Sequence, residues 1–405
     1  MSKLFVIADD LTGALDTAVQ FVMQGVSTCV LTDADAGLPT PSPNTVVVLC
    51  LPTRHMDAAA AYDAVYAATR RAVEVRVPYL YKKTDSVLRG NVGAELTAML
   101  DASGQSRMDF LPAFPTLGRT TADGVQRVDG VPIHESVFRS DPFEPITESV
   151  VARIIAQQTD VPCRLVREGA EAPAEAEKRI LVYDASTDMG LQQAAENAYR
   201  NGGLKVMAGC AGLAGVLGRV LPLPRGDIWE TEPEPKLLVV CGSVNPVARK
   251  QVEYAQRHGF YRMTLTKEQR VDAALITDGL LNDMMYHWKE ERPMILDIND
   301  DTAADCWQRE QVADNLGALV GRLWSKGMRG TIMVTGGDTL QAVLRALRCR
   351  SIRPVKQLRP GVVLSECRCG KELVSVVSKA GGFGGEGLLM EIADEIVKNG
   401  VMENG

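Results

Sequence analysis

The residues best equipped for chemistry form two kinds of cluster, one charged and one built from small residues. Ile7-Ala8-Asp9-Asp10-Leu11-Thr12-Gly13-Ala14 runs from a strand-like stretch into two acids, a hydroxyl and a glycine. Two carboxylates crowded at a strand end are costly unless a cation, a hydroxyl proton or backbone donors offset their repulsion. Asp10 could therefore accept the proton or hydrogen bond of a substrate hydroxyl. The simpler alternative is that one of the pair, Asp9 above all, caps the helix that follows. A second charged segment is Tyr81-Lys82-Lys83-Thr84-Asp85-Ser86-Val87-Leu88-Arg89-Gly90-Asn91. Its cations Lys82, Lys83 and Arg89 suit the carboxylate or phosphate of a small anion, and Thr84, Asp85 and Ser86 suit its hydroxyls. A solvated charge cluster is the bland alternative. Arg54, just past the apolar run Thr45 to Cys50, would reach the same crevice.

The small-residue clusters lie in the second half. Val239-Val240-Cys241-Gly242-Ser243-Val244-Asn245-Pro246 reads as a strand, a tight turn and a proline at the first helical position. Thr335-Gly336-Gly337-Asp338-Thr339 repeats that logic after the run Thr331 to Val334. Backbone N–H groups at such helix starts attract phosphate, and only glycine lets it approach so closely. Ser243, Gly336, Gly337, Asp338 and Thr339 are therefore candidate phosphate contacts, with empty tight turns as the alternative. A third loop, Lys379-Ala380-Gly381-Gly382-Phe383-Gly384-Gly385-Glu386-Gly387, satisfies G-x-G-x-x-G at Gly382, Gly384 and Gly387. The chain after it leaves no room for the returning strand whose acid would hold a dinucleotide ribose. Gly381, Gly382 and Gly384 are accordingly read as part of a phosphate or adenine site. No P-loop, protein-kinase or nucleophile-elbow motif is present. Phosphoryl transfer between a cationic, hydroxyl-reading first half and a phosphate-ready second half is what the pattern supports.

The elements that position these residues follow from periodicity. Short β-branched runs alternate with amphipathic stretches throughout, the pattern of parallel α/β layers, whose ligands bind beyond the carboxyl ends of the strands. Strands are expected at Lys3 to Ala8, Thr28 to Thr32, Thr45 to Cys50, Tyr79 to Lys83, Met108 to Pro112, Arg179 to Asp184 and Leu204 to Ala208. A second set is expected at Lys236 to Cys241, Met294 to Ile298, Thr331 to Val334 and Leu373 to Ser378, with helices at Asp16 to Met23 and Leu388 to Val397. Between the sets, Leu221 to Lys236 carries four prolines and several acids with no usable periodicity. The expected organisation is residues 1–224 as a substrate domain, 225–235 as a linker and 236–405 as a nucleotide domain. The acidic segment Glu171 to Glu177 reads as a surface loop.

Composition narrows the function classes. The chain has 405 residues, too many for one core, with 46% hydrophobic, 23% charged and a net charge of -7. No apolar run approaches the roughly 18 to 20 residues of a membrane helix, and the start has no signal-peptide core. Nine scattered cysteines without a C-x-x-C pair indicate a reducing, cytoplasmic setting. His55, His134, His258 and His287 are isolated, which argues against a dedicated zinc site. An acidic chain lacking a Lys/Arg block also argues against nucleic acid as a partner.

At these motifs the sequence resembles the four-carbon acid sugar kinase family. The family's I-A-D-D-x-T-G-A corresponds to Ile7 to Ala14, its K-x-D-S-T-x-R-G-N to Lys83 to Asn91, its G-G-D to Gly336 to Asp338 and its K-A-G-G-F-G to Lys379 to Gly384. Gly118 to Gly124, Val131 to Ser136 and Ser140 to Pro142 also look like the family, most nearly its D-threonate branch. The resemblance implies two α/β domains, each a largely parallel sheet flanked by helices, with the active site in the cleft between them. It implies ATP and a divalent cation, expected to be Mg²⁺, and phosphorylation of the 4-hydroxyl of D-threonate, with D-erythronate, L-threonate or a 3-oxotetronate as alternatives. A homodimer is compatible with it. A non-catalytic sugar-acid sensor and a nicotinamide dehydrogenase are the competing classes. The resemblance puts Asp10, Arg54, Lys83, Thr84, Asp85 and Ser86 on the sugar acid, and Ser243, Gly336 to Thr339 and Gly381 to Gly384 on ATP. Lys83, Arg89 or Arg54 would hold the carboxylate, and Asp10 or Asp85 would deprotonate the hydroxyl. Val87 departs from the pattern, which has Thr there, so a hydroxyl expected beside Asp85 and Arg89 is absent.

Overall fold

The computed structural model describes residues 3–33, 46–140, 144–173, 177–226, 232–290, 292–298 and 309–401. The chain divides into two compact units, Met1–Ile228 and Trp229–Gly405. Part of the expected linker (227–231), part of the acidic loop (174–176) and part of the Ser140 to Pro142 motif (141–142) lie outside the described residues.

In the first unit the order is β1 (Leu4–Ala8), α1 (Leu11–Val22), β2 (Thr28–Leu31), β3 (Val46–Cys50), α2 (Ala58–Glu74), β4 (Tyr79–Lys83), α3 (Val92–Ser103) and β5 (Arg107–Leu111). A small antiparallel sheet of β6 (Arg119–Ala122), β7 (Val125–Val128) and β8 (Val131–Pro132) follows. Then come α4 (Val151–Ala156), β9 (Cys163–Val166), β10 (Arg179–Tyr183), α5 (Asp188–Arg200), β11 (Val206–Gly209) and α6 (Ala211–Val220). The main sheet runs β2-β3-β1-β4-β11-β5-β10-β9, with every pair parallel. Strands covered on both faces by helices must be apolar throughout, and all five residues of β1 and of β3 are buried. From β1 the chain goes to β2, steps back to β3 between them, and then crosses past β1 to β4 on its other side. That reversal opens a crevice at the carboxyl ends of β1 and β4.

The second unit contains β12 (Leu237–Cys241), α7 (Pro246–Arg257), β13 (Tyr261–Thr264), α8 (Lys267–Val271), α9 (Asp278–Trp288), β14 (Met294–Asp297), α10 (Arg309–Ser325), β15 (Thr331–Thr335) and α11 (Gly337–Ala346). It ends with β16 (Ser351–Arg359), β17 (Val362–Cys369), β18 (Glu372–Lys379) and α12 (Leu388–Val401). Its strands run β13-β14-β12-β15-β18-β17-β16, parallel as far as β18 and antiparallel through β17 and β16. The winding reverses here too, between β12 and β15.

The mixed α/β class and the largely parallel sheets follow the sequence expectation. Two local expectations change. The helix expected from Asp16 starts at Leu11, because Asp10 caps it by accepting the Gly13 N–H at 2.9 Å. The meander β16–β18 is mostly unforeseen: β16 carries Pro354 and several cations, which argue against a strand, and a bulge between Pro354 and Lys356 is what lets the proline fit.

Candidate active site

In the first unit Ala8 is in register with Cys50 on β3 and with Lys83 on β4, so the three strands end level and the residues beyond them converge. Arg54 ties the acids together. Its Nε donates to Asp9 Oδ2 at 2.7 Å and its Nη1 to Asp10 Oδ2 at 3.0 Å, and its Nη2 lies 3.8 Å from Asp85 Oδ1. Arg89 grips Asp85 with two further donors, Nε and Nη2, at 2.9 Å each. Asp85 Oδ2 also accepts the backbone N–H groups of Val87 and Arg89 at 3.3 Å, closing a turn in which Leu88 takes φ +64° and Gly90 +86°. A Cβ on Gly90 would stand 3.2 Å from Arg54 Cγ, so the turn packs directly on that arginine.

The charges follow from these contacts. Burial opposes ionisation of Asp85, but Arg89 and Arg54 outweigh it and hold the carboxyl well below its usual range. Burial likewise works against Asp9, where Arg54, Lys82 and Lys83 together bring the carboxyl below its ordinary value. Asp10 has both oxygens engaged: Oδ1 accepts from Gly13 N, and Oδ2 from Thr12 Oγ1 at 2.8 Å as well as from Arg54.

Strand alternation sends the two lysines of β4 to opposite faces. Lys82 is fully enclosed, with Nζ 3.0 Å from Glu95 Oε2 and donating to Lys83 O at 2.7 Å. Glu95 also accepts from Thr53 Oγ1, and burial raises its carboxyl despite Lys82. Lys83 is buried too, yet its Nζ makes no hydrogen bond among the described residues. Gly13 makes room for it: a Cβ there would stand 2.8 Å from Lys83 Nζ and 2.4 Å from Asp10 Oδ1. Asp9 Oδ1, Thr84 Oγ1 and Asp16 Oδ1 are likewise buried without a hydrogen-bond partner among the described residues. Buried donors and acceptors are normally satisfied, so a cluster of bare ones marks where a polar ligand would complete the set.

The structure therefore brings Asp9, Asp10, Arg54, Lys83, Thr84, Asp85 and Arg89 together. Lys82 is fully buried and ion-paired with Glu95. Asp85 is held by Arg89, and Asp10 caps α1 and is bound to Arg54. Arg54, shared among three acids, organises the site more than it offers a free charge. Ser86 is half-buried, and its carbonyl accepts from Gln126 Nε2 at 2.9 Å. Val87 is buried in the apolar core with Leu88 and Val92, so a hydroxyl at that position would face the core and not the crevice. Gly13, Asp16 and Glu95 escaped sequence reasoning. A glycine before a mid-helix acid at Asp16 was the available signal for the first two.

The second unit builds its site from backbone. Gly242 N donates to Thr335 O and Gly336 N to Lys379 O, both at 3.2 Å, which sets the turns after β12, β15 and β18 side by side. A Cβ on Gly242 would stand 1.9 Å from Thr339 Oγ1, and one on Gly381 2.5 Å from Ser243 Oγ. Gly336, at φ +109°, and Gly384, at +86°, hold conformations that other residues rarely adopt. Gln251 of α7 fastens the last loop, its Nε2 donating to the carbonyls of Phe383, Gly384 and Gly385 at 3.0, 3.1 and 3.0 Å. Asn245 caps α7 by accepting Val247 N at 2.9 Å, with Pro246 in the first turn. Gly337 opens α11, and Asp338 is ion-paired with Arg309. Gly382 lies near Asn245, its Cβ position 3.6 Å from Asn245 Nδ2. Lys379, which carried no assigned role, is enclosed with Nζ donating to Ala380 O at 3.0 Å and Gly381 O at 3.1 Å, and burial pushes its ammonium down to about 8. The starts of two helices, α7 and α11, and a glycine loop thus follow neighbouring strands, an arrangement suited to phosphates.

Among the described residues no group of three or more His, Cys, Asp or Glu could hold a metal ion. No described helix is long and apolar enough to cross a membrane.

Residues 4–217 match the sugar-binding N-terminal domain family, and residues 238–389 the nucleotide-binding C-terminal domain family. The chain is 32% identical over 424 residues to D-threonate kinase of Salmonella typhimurium, covering 96% of this chain and 97% of that one. It is 30% identical over 402 residues to D-erythronate kinase of Heliobacterium modesticaldum, covering 89% of each. Its fold is similar to that of a solved Haemophilus influenzae protein, with a TM-score of 0.71 at 24% identity, over 97% of this chain and 100% of the other. With both domain families matched in order, and relatives alike over nearly their whole length, the chain belongs to the four-carbon acid sugar kinase family.

Proposed function

We propose that the protein is an ATP-dependent kinase that phosphorylates the 4-hydroxyl of a four-carbon sugar acid, with D-threonate as its substrate. The observation that carries this reading is the bare polar set at the β1/β4 crevice: Lys83 Nζ, Asp9 Oδ1 and Thr84 Oγ1. An ammonium beside unfilled acceptors and a hydroxyl matches a molecule with one carboxylate and several hydroxyl groups. The glycine turns of the second unit suit a nucleoside triphosphate, and the relatives' names support both halves.

In this mechanism Lys83 holds the acid's carboxylate, while Asp9 and Thr84 read its hydroxyls. Arg54 and Arg89 fix Asp9, Asp10 and Asp85 in place, so the crevice needs little rearrangement when the substrate arrives. The turns shaped by Gly242, Gly336 and Gly381 to Gly384 hold the phosphates, with donors from backbone N–H groups at the start of α11 and in the last loop. A divalent cation bound to the triphosphate would neutralise part of its charge. Phosphoryl transfer passes through a loose transition state, so catalysis is mainly alignment and electrostatic stabilisation. The eight described cysteines are all free thiols, which fits a cytoplasmic enzyme.

Measuring ATP consumption with Mg²⁺ against D- and L-threonate, D- and L-erythronate and their 3-oxo forms tests the reading. D-threonate should give the highest kcat/KM. Preference for another tetronate would reassign the substrate within the family. Binding of an acid without ATP consumption would make the chain a sensor and end the kinase reading.

A further inference from the structure

Phosphorylating a hydroxyl releases a proton, and most acids around Lys83 are already committed. Asp9 and Asp10 are bound by Arg54, Asp85 by Arg89 and Arg54, and Glu95 by Lys82 and Thr53. Asp16 is the exception. It lies in α1, and helical side chains lean back over the residues three and four positions earlier, here Gly13 and Thr12. Gly13 leaves a gap at that point, which Lys83 Nζ and Asp10 Oδ1 border. Asp16 is half-buried, makes no ion pair or hydrogen bond among the described residues, and has its Oδ1 closed off from solvent. The titratable and charged groups facing it are Lys83 and Tyr81 of β4, Cys210 before α6 and Asp10 at its own helix cap. Burial dominates, Lys83 opposes it and Asp10 reinforces it, and together they push the Asp16 carboxyl up to about 6. A carboxylate of that basicity is still ionised at neutral pH, yet takes a proton far more readily than Asp9 or Asp85.

We propose that Asp16, over the gap that Gly13 leaves beside Lys83 and Asp10, is the proton acceptor for the substrate hydroxyl. This rests on the kinase reading above. In the step, the hydroxyl O–H bond breaks and its proton passes to the Asp16 carboxylate. The oxygen forms the new bond to the γ-phosphorus of the nucleoside triphosphate. The bond from that phosphorus to the bridging oxygen breaks, and the diphosphate leaves with the electron pair. Asp16 then releases its proton to water.

The test is the pH profile of kcat/KM for wild type, Asp16→Asn and Asp16→Glu, with ATP and the best tetronate. Wild type should lose activity as pH falls through about 6, on the acid side of the Asp16 titration. Asp16→Asn should lower kcat by ~10²-fold or more and remove that limb, leaving ATP affinity unchanged. Asp16→Glu should restore the limb and part of the rate. An Asn variant within a few-fold of wild type, or one keeping the same acid limb, would overturn the proposal. Folding is checked by thermal unfolding at pH 8, where the Asn variant should be at least as stable as wild type. The raised carboxyl costs stability once ionised in the fold, and the amide removes that cost. Carboxyl ¹³C NMR of the wild-type protein without ligands reads the same group independently of turnover. A titration near 6 supports the proposal, and one near 4 overturns it even if the enzyme is a kinase. Wild type that turns over no tetronate overturns the kinase reading and this role with it.

Discussion

The two units solve the same topological problem with opposite materials. Each sends the chain from a central strand to an outer one, steps back, and crosses to the other side of the central strand, at β1/β4 in the first and β12/β15 in the second, and each carries its candidate site at that reversal. The first fills the crevice with side chains that hold one another: Arg54 spans three acids and Arg89 grips one of them. The second keeps side chains out, with glycines at positions where a Cβ would collide with Thr339 or Ser243. A small polyhydroxy acid must be told from its stereoisomers, which calls for placed side chains. A triphosphate presents repeating oxygens that backbone N–H groups satisfy without any side chain. The first site should therefore break when charges change, and the second when volume is added.

The largest expected effect separates neighbouring lysines in the first site. Lys82→Met leaves Glu95 buried without its ion-pair partner and should cost about 3–5 kcal/mol of stability by chemical denaturation. Lys83→Met removes a charge that makes no hydrogen bond or ion pair among the described residues, so stability should fall much less. There the loss is in kcat/KM for the sugar acid, ~10²-fold, with ATP affinity unaltered. If both variants lost stability equally, the contrast between a structural and a ligand-binding lysine would fail. In the second site Gly381→Ala sets a Cβ 2.5 Å from Ser243 Oγ and should weaken ATP roughly 10-fold, with the sugar acid binding as before, by calorimetric titration. The smallest effect belongs to Val87→Thr. Because Val87 faces the apolar core, the variant should change the preference among tetronates by less than about two-fold while costing about 1–2 kcal/mol of stability. A large shift in preference would return that position to the crevice.

The sequence was most readable where burial left no choice of residue. β4 falls at Tyr79–Lys83 as its pattern requires, and β1, β3 and β12 lie within a residue or so of their apolar runs. Such strands are covered on both faces, which selects apolar and β-branched residues, and the two buried lysines that end β4 depart from that rule at the site. Elements held by tertiary contacts were harder to read. β13 has four half-buried residues at the sheet edge, and β16 mixes proline with arginine and lysine. At the site, residue types announced which charges would gather but not how they would pair. Lys82 and Lys83 look alike in sequence, and the two-residue period of the strand separates a buried structural cation from an available one. Asp16 was obscured by the helix start: once Asp10 is the cap, Asp16 lies within the second turn and above Gly13, a relation that the later start concealed.

Phosphorus NMR of the product formed from D-threonate and ATP tests the central claim most directly. The terminal carbon of a tetronate bears two hydrogens, and the inner hydroxyl-bearing carbons bear one each. The account predicts a new phosphomonoester resonance split into a triplet by the two C4 protons, appearing in step with ADP. A doublet would mean transfer to an inner hydroxyl, and no phosphomonoester from any tetronate, with ATP intact, would contradict the assignment of this chain as a sugar-acid kinase.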